Sequence, residues 1–414
     1  MFKILILIFS VSSVWGSEIP SHNLDSLIHL ALKNNPAILE AKEHWKSLMA
    51  QVPAAATWED PQIGFQRMNY QGGAGGNYWS VAQNVPFPGK LSQAAKMKRH
   101  EAMIAYQKYR AAELDIASQV AVEYYRIFWL RETSSILKKD SDILRGIAQV
   151  AQASVASGRA SSDEALSARA AFLKVKDAAM ERENESLVEE EALNALLSRP
   201  AGTRWILARP EDPRPVEATP QELDQLAKEM SPDYALALHE IMHAKAMVAL
   251  GRLGFLPDFQ FSMTQEARPY VATMEDSAYG VNLSIPLWFW KQNSLLKAAK
   301  AHRKEAEASS QEAVNETLRQ VRSELIEVNL RSALALSYKR EIIPLAQSAF
   351  KITEKNYETG RANFSKLSDS VRALLDAELK YPEEVNLYGE HLAKLERAVG
   401  GSVPFSTKKG ESNP

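Results

Sequence analysis

Cysteine is absent from all 414 residues. That excludes disulfides and cysteine-based metal sites. It also excludes a lipidated N-terminal cysteine, so any membrane attachment must come from the polypeptide itself. An excess of one charge sign is missing too. Lys and Arg number 49 against 51 Asp and Glu, a net charge of −2, and nothing in that balance points to nucleic acid. Beyond the N-terminus no run of ~18 apolar residues occurs, so no transmembrane helix is expected. Glycine is scarce, with 18 residues, and the 24% of charged residues does not make a disordered chain. There is no Gly-rich phosphate loop and no nucleophile elbow. Neither catalysis nor a cofactor is expected.

What is present is present twice. Asn35-Pro36 opens a helical stretch that ends near Asp60-Pro61, and Ser231-Pro232 opens another that ends near Pro257-Asp258. Short alternating segments follow each, closing on Val85-Pro86 and on Ile285-Pro286. A very long helix comes next in both halves, Ser92 to about Val155 and Gln292 to Tyr357. These helices end in Ala156-Ser157-Gly158-Arg159-Ala160 and Glu358-Thr359-Gly360-Arg361-Ala362. Return helices run to about Ser198 and from Asn363 to Val399, with Pro344 and Pro382 expected to kink the second pair. A period of about 200 residues is too long for a solenoid repeat; it indicates a duplicated half-molecule.

The expected organisation is therefore a signal peptide over 1–16, a first repeat over 17–200 with a β-hairpin at 59–87, and a proline-rich linker over 201–220. A second repeat follows over 221–400 with a β-hairpin at 257–287, and then a flexible tail over 401–414. The signal assignment rests on Lys3, the apolar run Ile4 to Val14 and the small-residue site Val14-Trp15-Gly16. An uncleaved anchor is the alternative, but the run is short for a bilayer. The fold class is mainly α with a small β portion.

Four segments alternate with the period of a strand. Phe259, Phe261 and Met263 alternate with Gln260, Ser262 and Thr264; Tyr279, Val281, Leu283 and Ile285 alternate with Gly280, Asn282 and Ser284. Trp79, Val81 and Val85 alternate with Ser80, Ala82 and Asn84, and Ile63 and Phe65 with Gly64 and Gln66. One polar face and one apolar face suit a barrel with lipid outside and water inside; a half-buried hairpin on a soluble domain has the same pattern. Tyr70, Tyr78, Trp79, Phe87, Trp288, Phe289 and Trp290 stand near strand ends, where an interfacial girdle would lie. Four strands cannot close a barrel, whose practical minimum is about eight. Three chains would supply twelve, and twelve helices packed by sparse apolar stripes would make a tube.

These residues resemble the TolC-like outer-membrane efflux channels over the whole mature chain. The matching pieces are Asn35-Pro36, Asp60-Pro61, Leu256-Pro257-Asp258 and Gln83-Asn84-Val85-Pro86-Phe87-Pro88-Gly89-Lys90. Ile342-Ile343-Pro344-Leu345-Ala346, Tyr357-Glu358-Thr359-Gly360 and Leu374-Leu375-Asp376-Ala377 complete the set. The resemblance implies a homotrimer in outer-membrane lipid, extending into the periplasm of a Gram-negative-type envelope. It pairs the long antiparallel helical hairpins of a trimeric α-barrel with a shared 12-stranded transmembrane β-barrel, the proline-rich linker lying near the equator. It also implies a periplasmic membrane-fusion adaptor and an inner-membrane pump. Pro86-Phe87-Pro88-Gly89-Lys90 is most similar to members paired with heavy-metal pumps of the resistance-nodulation-division type.

The resemblance further places a periplasmic gate at Asp369, with Glu164 and Lys366 from neighbouring helices. Lys366 departs from the acidic residue the family pattern would have there; the first-half equivalents of the two positions are Glu164 and Ser167. Adaptor docking falls on the helical tips, Ser157, Gly158, Arg159, Ala160, Ser161, Thr359, Gly360, Arg361, Ala362 and Asn363, which also have plain capping chemistry.

Two other readings remain open on the residues. His239-Glu240-Ile241-Met242-His243 matches H-E-x-x-H, the spacing of a zinc hydrolase, although Lys42-Glu43-His44-Trp45-Lys46 in the first half carries no such pair. A soluble periplasmic coiled-coil adaptor would share the long helices and lack the membrane strands.

Overall fold

The computed structural model describes residues 21–68, 76–156, 161–266 and 277–404; the expected signal peptide, the first tip at 157–160 and most of the tail lie outside them. Helices α1 (Leu24–Asn34) and α2 (Pro36–Ala55) lead into strands β1 (Gln62–Met68) and β2 (Gly76–Val85). The long α3 (Lys90–Ala156) and α4 (Ser162–Leu196) follow. The order recurs as α5 (Pro220–Met230), α6 (Pro232–Leu253), β3 (Asp258–Glu266), β4 (Ser277–Ser284), α7 (Phe289–Ser337), α8 (Ile343–Glu358) and α9 (Phe364–Val399). No described helix is long and apolar enough to cross a membrane.

Three prolines occupy distinct places in these helices. A π-turn, Tyr338–Ile342, separates α7 from α8, the form taken by the disturbance expected at Pro344. It lies directly before Pro344, whose missing N–H and ring crowd the preceding turn. Pro382, by contrast, stands inside a continuous α9. Pro220, expected in the linker, occupies the first turn of α5, where its lack of an N–H costs nothing. Thr219 and Glu222 form a reciprocal capping box around it.

The chain divides into two compact units. The first gathers the described parts of Met1–Asn35, Ile116–Pro215 and Glu327–Ala393. Its helices bury a seam with alternating three- and four-residue steps. On α3 these are Ile127, Leu130, Ser134, Leu137, Ser141 and Leu144, with Ala151 one heptad on. On α9 Leu367, Leu374, Tyr381 and Tyr388 are buried every seven residues. A strict seven-residue period is the pattern of helices wound left-handedly around one another. Small residues at three of these seven α3 positions explain why the apolar stripe looks sparse in the sequence.

Buried ion pairs punctuate these seams. Glu190 of α4, 2% exposed, accepts from Arg131 of α3 at 2.6 Å and from Arg204 at 3.2 Å. Glu384 of α9 pairs with Arg331 of α7 at 3.3 Å. The connector after α4 is irregular yet fastened. Trp205 donates its indole N–H to Asn194 at 2.7 Å, Tyr124 its hydroxyl to the Ala208 carbonyl at 2.7 Å, and Lys339 grips Asp212 at 2.7 Å.

Among the described residues, not every acid set between the helices forms an ion pair. Asp140 on α3 is 4% exposed. Burial, then the nearby Glu378 carboxylate, pushes its carboxyl up to about 7, with Lys139 opposing. Burial and the adjacent Glu189 raise Glu123 to about 7 as well.

The second unit holds the described parts of Pro36–Asp115, Val216–Ile326 and Lys394–Pro414. It contains the whole sheet, antiparallel in the order β1-β2-β3-β4. Arg397 of α9 joins Asp115 of α3 and Asp233 of α6 at 2.7 Å. Gly400 turns at φ 94° against the Met230 backbone, where a Cβ would collide.

Two predictions follow from the helical packing. A Cβ at Gly389 of α9 would run into the Tyr125 ring, whereas one at Gly146 of α3 meets nothing. Gly389→Ala should lower stability by ~1–3 kcal/mol through overpacking, and Gly146→Ala should raise it by up to ~1 kcal/mol through helix propensity. Denaturant midpoints of the purified protein would check the opposite signs.

The second prediction concerns pH. The folded Asp140 carboxyl holds its proton up to about 7, while the unfolded one loses it near ~3.9. Its contribution is full below the unfolded value and is lost as pH rises through the folded one. Melting temperature should therefore fall between about pH 4 and 7, and Asp140→Asn should flatten that slope; an unchanged slope would refute the assignment.

Candidate functional site

The strand register sorts side chains by face. Ile63 pairs with Val81 and Phe65 with Trp79; Val81 pairs with Met263 and Val85 with Phe259. Phe261 pairs with Val281, Phe259 with Leu283 and Met263 with Tyr279. All of these fall on one face, and most are open: Ile63 is 73% exposed, Val281 62% and Tyr279 69%. A contiguous apolar face of this kind marks a contact with lipid or protein. Next to it, where the strands meet the helices, Trp58, Leu287, Trp288, Phe289 and Trp290 are exposed as well. Their amphipathic rings suit a membrane–water boundary. Tyr78, expected in that girdle, sits on the opposite face between Gln66 and Glu266. Tyr70 lies outside the described residues.

The opposite face is polar and small. Gly64 faces Ser80, and Gly280 faces Ser262; a Cβ on either glycine would press the serine hydroxyl at 2.6 and 2.8 Å. A row of amides crosses the sheet here. Asn282 donates to Gln260 at 3.2 Å, Gln260 to Asn84 at 3.0 Å, and Asn84 to Glu59 at 3.0 Å.

The turn motifs act where the two halves meet. Gly89 takes φ 99°, a conformation that favours glycine, and this brings Lys90 to the start of α3. The Lys90 ammonium binds Asp258 Oδ1 at 2.8 Å and the Leu256 carbonyl at 3.0 Å. The same Asp258 oxygen accepts the Phe87 N–H at 2.7 Å. Val85-Pro86-Phe87-Pro88-Gly89-Lys90 and Leu256-Pro257-Asp258 are thus two sides of one lock.

At the helical ends, Ser157, Gly158, Arg159 and Ala160 fall outside the described residues. Ser161 caps α4 by accepting the Glu164 N–H at 3.3 Å. Gly360 turns at φ 73°, and the Arg361 and Ala362 amides close on the Asn356 carbonyl at 2.7 and 3.0 Å. Thr359 bonds back to the Lys355 carbonyl at 3.0 Å, and Asn363 caps α9 by accepting the Lys366 N–H at 3.1 Å. Glu164 acts on Tyr357, whose hydroxyl is raised first by burial and then by that carboxylate. Asp369 and Lys366 are exposed. Within one chain the structure does not bring Asp369, Glu164 and Lys366 into ion pairs among the described residues.

The H-E-x-x-H stretch lies on α6. His239 Nδ1 meets His100 Nδ1 of α3 at 3.3 Å, a partner 139 residues away that no spacing signalled. His302 stands against Glu305 at 3.1 Å. Among the described residues, no group of three or more histidines or carboxylates is placed to hold a metal, which a zinc hydrolase would need.

Comparison with known proteins agrees with this geometry. A family model described as "Outer membrane efflux protein" matches residues 27–199 and 223–401. The cobalt-zinc-cadmium resistance protein CzcC of Cupriavidus metallidurans is 26% identical over 337 residues, covering 78% of this chain and 77% of that protein. Among solved structures, CusC superposes with a TM-score of 0.80 at 16% identity, over 94% of this chain and 96% of that one. The outer membrane protein VceC of Vibrio cholerae gives 0.78 at 16% identity, over 92% and 96%. At those identities the structures establish the shared fold.

If the apolar face meets lipid, charge must be tolerated on one face only. Val281→Arg should cost ~2–4 kcal/mol at a lipid-facing position and deplete the chain from the membrane fraction. Ser262→Asn, on the amide-lined face, should leave its membrane level near wild type. Immunoblots of separated membranes would check the asymmetry.

Proposed function

The chain belongs to the outer membrane efflux protein family, and we propose that three copies close one channel that serves as a passive exit duct. The observation that carries this reading is the four-stranded sheet with one exposed apolar face and two edge strands, β1 and β4, each with a single strand neighbour among the described residues. In lipid, unpaired backbone groups are too costly to leave open, so such a sheet must be closed. An even number of strands per chain lets β4 of one copy run antiparallel to β1 of the next. Twelve strands then form a barrel in which every copy is equivalent. A soluble coiled-coil adaptor would have no use for that exposed face.

In this reading the duplicated half-molecules each give the barrel a hairpin and the tunnel a helical pair. The heptad seams favour a tube of helices below it. The fastened proline-rich connector would form a belt at its equator. The helical tips, Ser157 to Ser161 and Thr359 to Asn363, would dock a periplasmic membrane-fusion adaptor, and an inner-membrane pump of the resistance-nodulation-division type would supply the force. Asp369, with Glu164 and Lys366 of neighbouring helices, would gate the periplasmic end through contacts between copies. The likeness to a cobalt-zinc-cadmium resistance protein supports heavy-metal ions as the cargo.

Native mass of the detergent-extracted protein tests this reading; a trimer from the outer membrane is expected, and a soluble monomer would sink it. In planar bilayers Asp369→Ala should lower the preference for cations over anions, because a charged ring sets selectivity in a narrow pore. Unchanged selectivity and gating would remove Asp369 from the gate.

A further inference from the structure

His100 of α3 and His239 of α6 meet through their imidazole rings. The two Nδ1 atoms face each other at 3.3 Å, with ring centroids 5.6 Å apart and planes inclined by 36°. Two nitrogens bound to one tetrahedral zinc at 2.0–2.1 Å are about 3.3–3.4 Å apart. The rings are therefore already spaced as a pair of ligands. Each is carried by a helix, and the N-terminal part of α3 that holds His100 lies in the same unit as α6, so the spacing is set by rigid elements rather than by a loop.

The surroundings suit a cation. His243 lies one turn beyond His239, and its field acts on His100. Glu101 and Glu240 both act on His243, against Lys98 and His302. Arg99 is the cation that bears on His100 itself. Burial, then the neighbouring imidazoles, keeps His100 below the usual histidine value, and burial lowers His239 too. All three histidines are partly open to water, which leaves room for water to complete the coordination.

We propose that His100 and His239 form a two-histidine site for a borderline divalent transition-metal ion such as zinc, its remaining positions filled by water. Imidazole ligands select this class of ion over calcium or magnesium. The site differs from the one the H-E-x-x-H spacing suggests: it takes only the first histidine of that motif and replaces the second with His100. With water at the open positions and no assigned base, it binds and does not hydrolyse. It stands on these contacts whether or not metal ions are the chain's cargo.

The test is equilibrium dialysis of the full-length, chelator-treated protein in detergent against micromolar zinc, with zinc counted per chain. One zinc per chain is expected. His100→Gln and His239→Gln should each weaken binding by at least about tenfold, since even the outer partners of metal ligands carry 10–100-fold. His391→Gln, in the other unit, should change nothing. X-ray absorption of zinc bound to the wild type needs no folded variant; it should show two nitrogen neighbours with oxygen in the rest of the shell. Absence of zinc, an oxygen-only shell, or binding that survives both substitutions would overturn the proposal. So would a requirement for His243 in place of His100.

Discussion

A backbone placed in hydrocarbon cannot leave its N–H and C=O groups unpaired, since no water is there to take them up. β2 and β3 meet this demand within one chain, each flanked by two neighbours, while β1 and β4 have only one each. The rest of the proposed architecture follows from those two edges. They call for further copies, the copies call for strands that alternate in direction around the ring, and the sorted faces decide which side meets lipid. The pairing of β2 with β3 is the central seam, because it joins the first half of the chain to the second. Asp258 anchors it by holding both the Phe87 amide and the Lys90 ammonium.

The helices answer a different demand. A helix of 67 residues is ~100 Å long, and most of its stability has to come from packing one stripe against neighbours. The heptad positions of α3 and α9 supply that stripe with Leu and Tyr, but also with Ser134, Ser141 and Ala151. Glu190 and Glu384 are buried with arginines. Burying such pairs adds little net stability over apolar packing, and removing one partner is what costs.

Much of this was legible in the residues. Strict alternation in Phe259 to Gln265 and Tyr279 to Ile285 reports a strand and its faces, because the side-chain period of a strand is two. Ser161 and Asn363 mark helix starts by their own chemistry. The neighbours of a strand are not encoded in its alternation, and so the β2–β3 pairing could not be read. Tyr78 was misplaced because proximity to a strand end says less than register. The π-turn before Pro344 was hidden because proline announces a disturbance without its form. Pro220 looked like linker because composition there outweighed the Thr219–Glu222 cap. His100 carried no signal at all; a lone histidine on a long helix acquires meaning only when the fold sets another beside it.

The absence of cysteine makes the decisive measurement a clean one. Single cysteines at Val281 and Ser262 would each carry the only thiol in the chain, and a nitroxide on each can be tested for collision with oxygen and with a water-soluble nickel complex. In reconstituted bilayers the account predicts that position 281 favours oxygen, as a lipid-facing site does, and that position 262 favours the aqueous complex. Equal access of the aqueous complex to both positions would contradict it, because the apolar face would then not be in lipid.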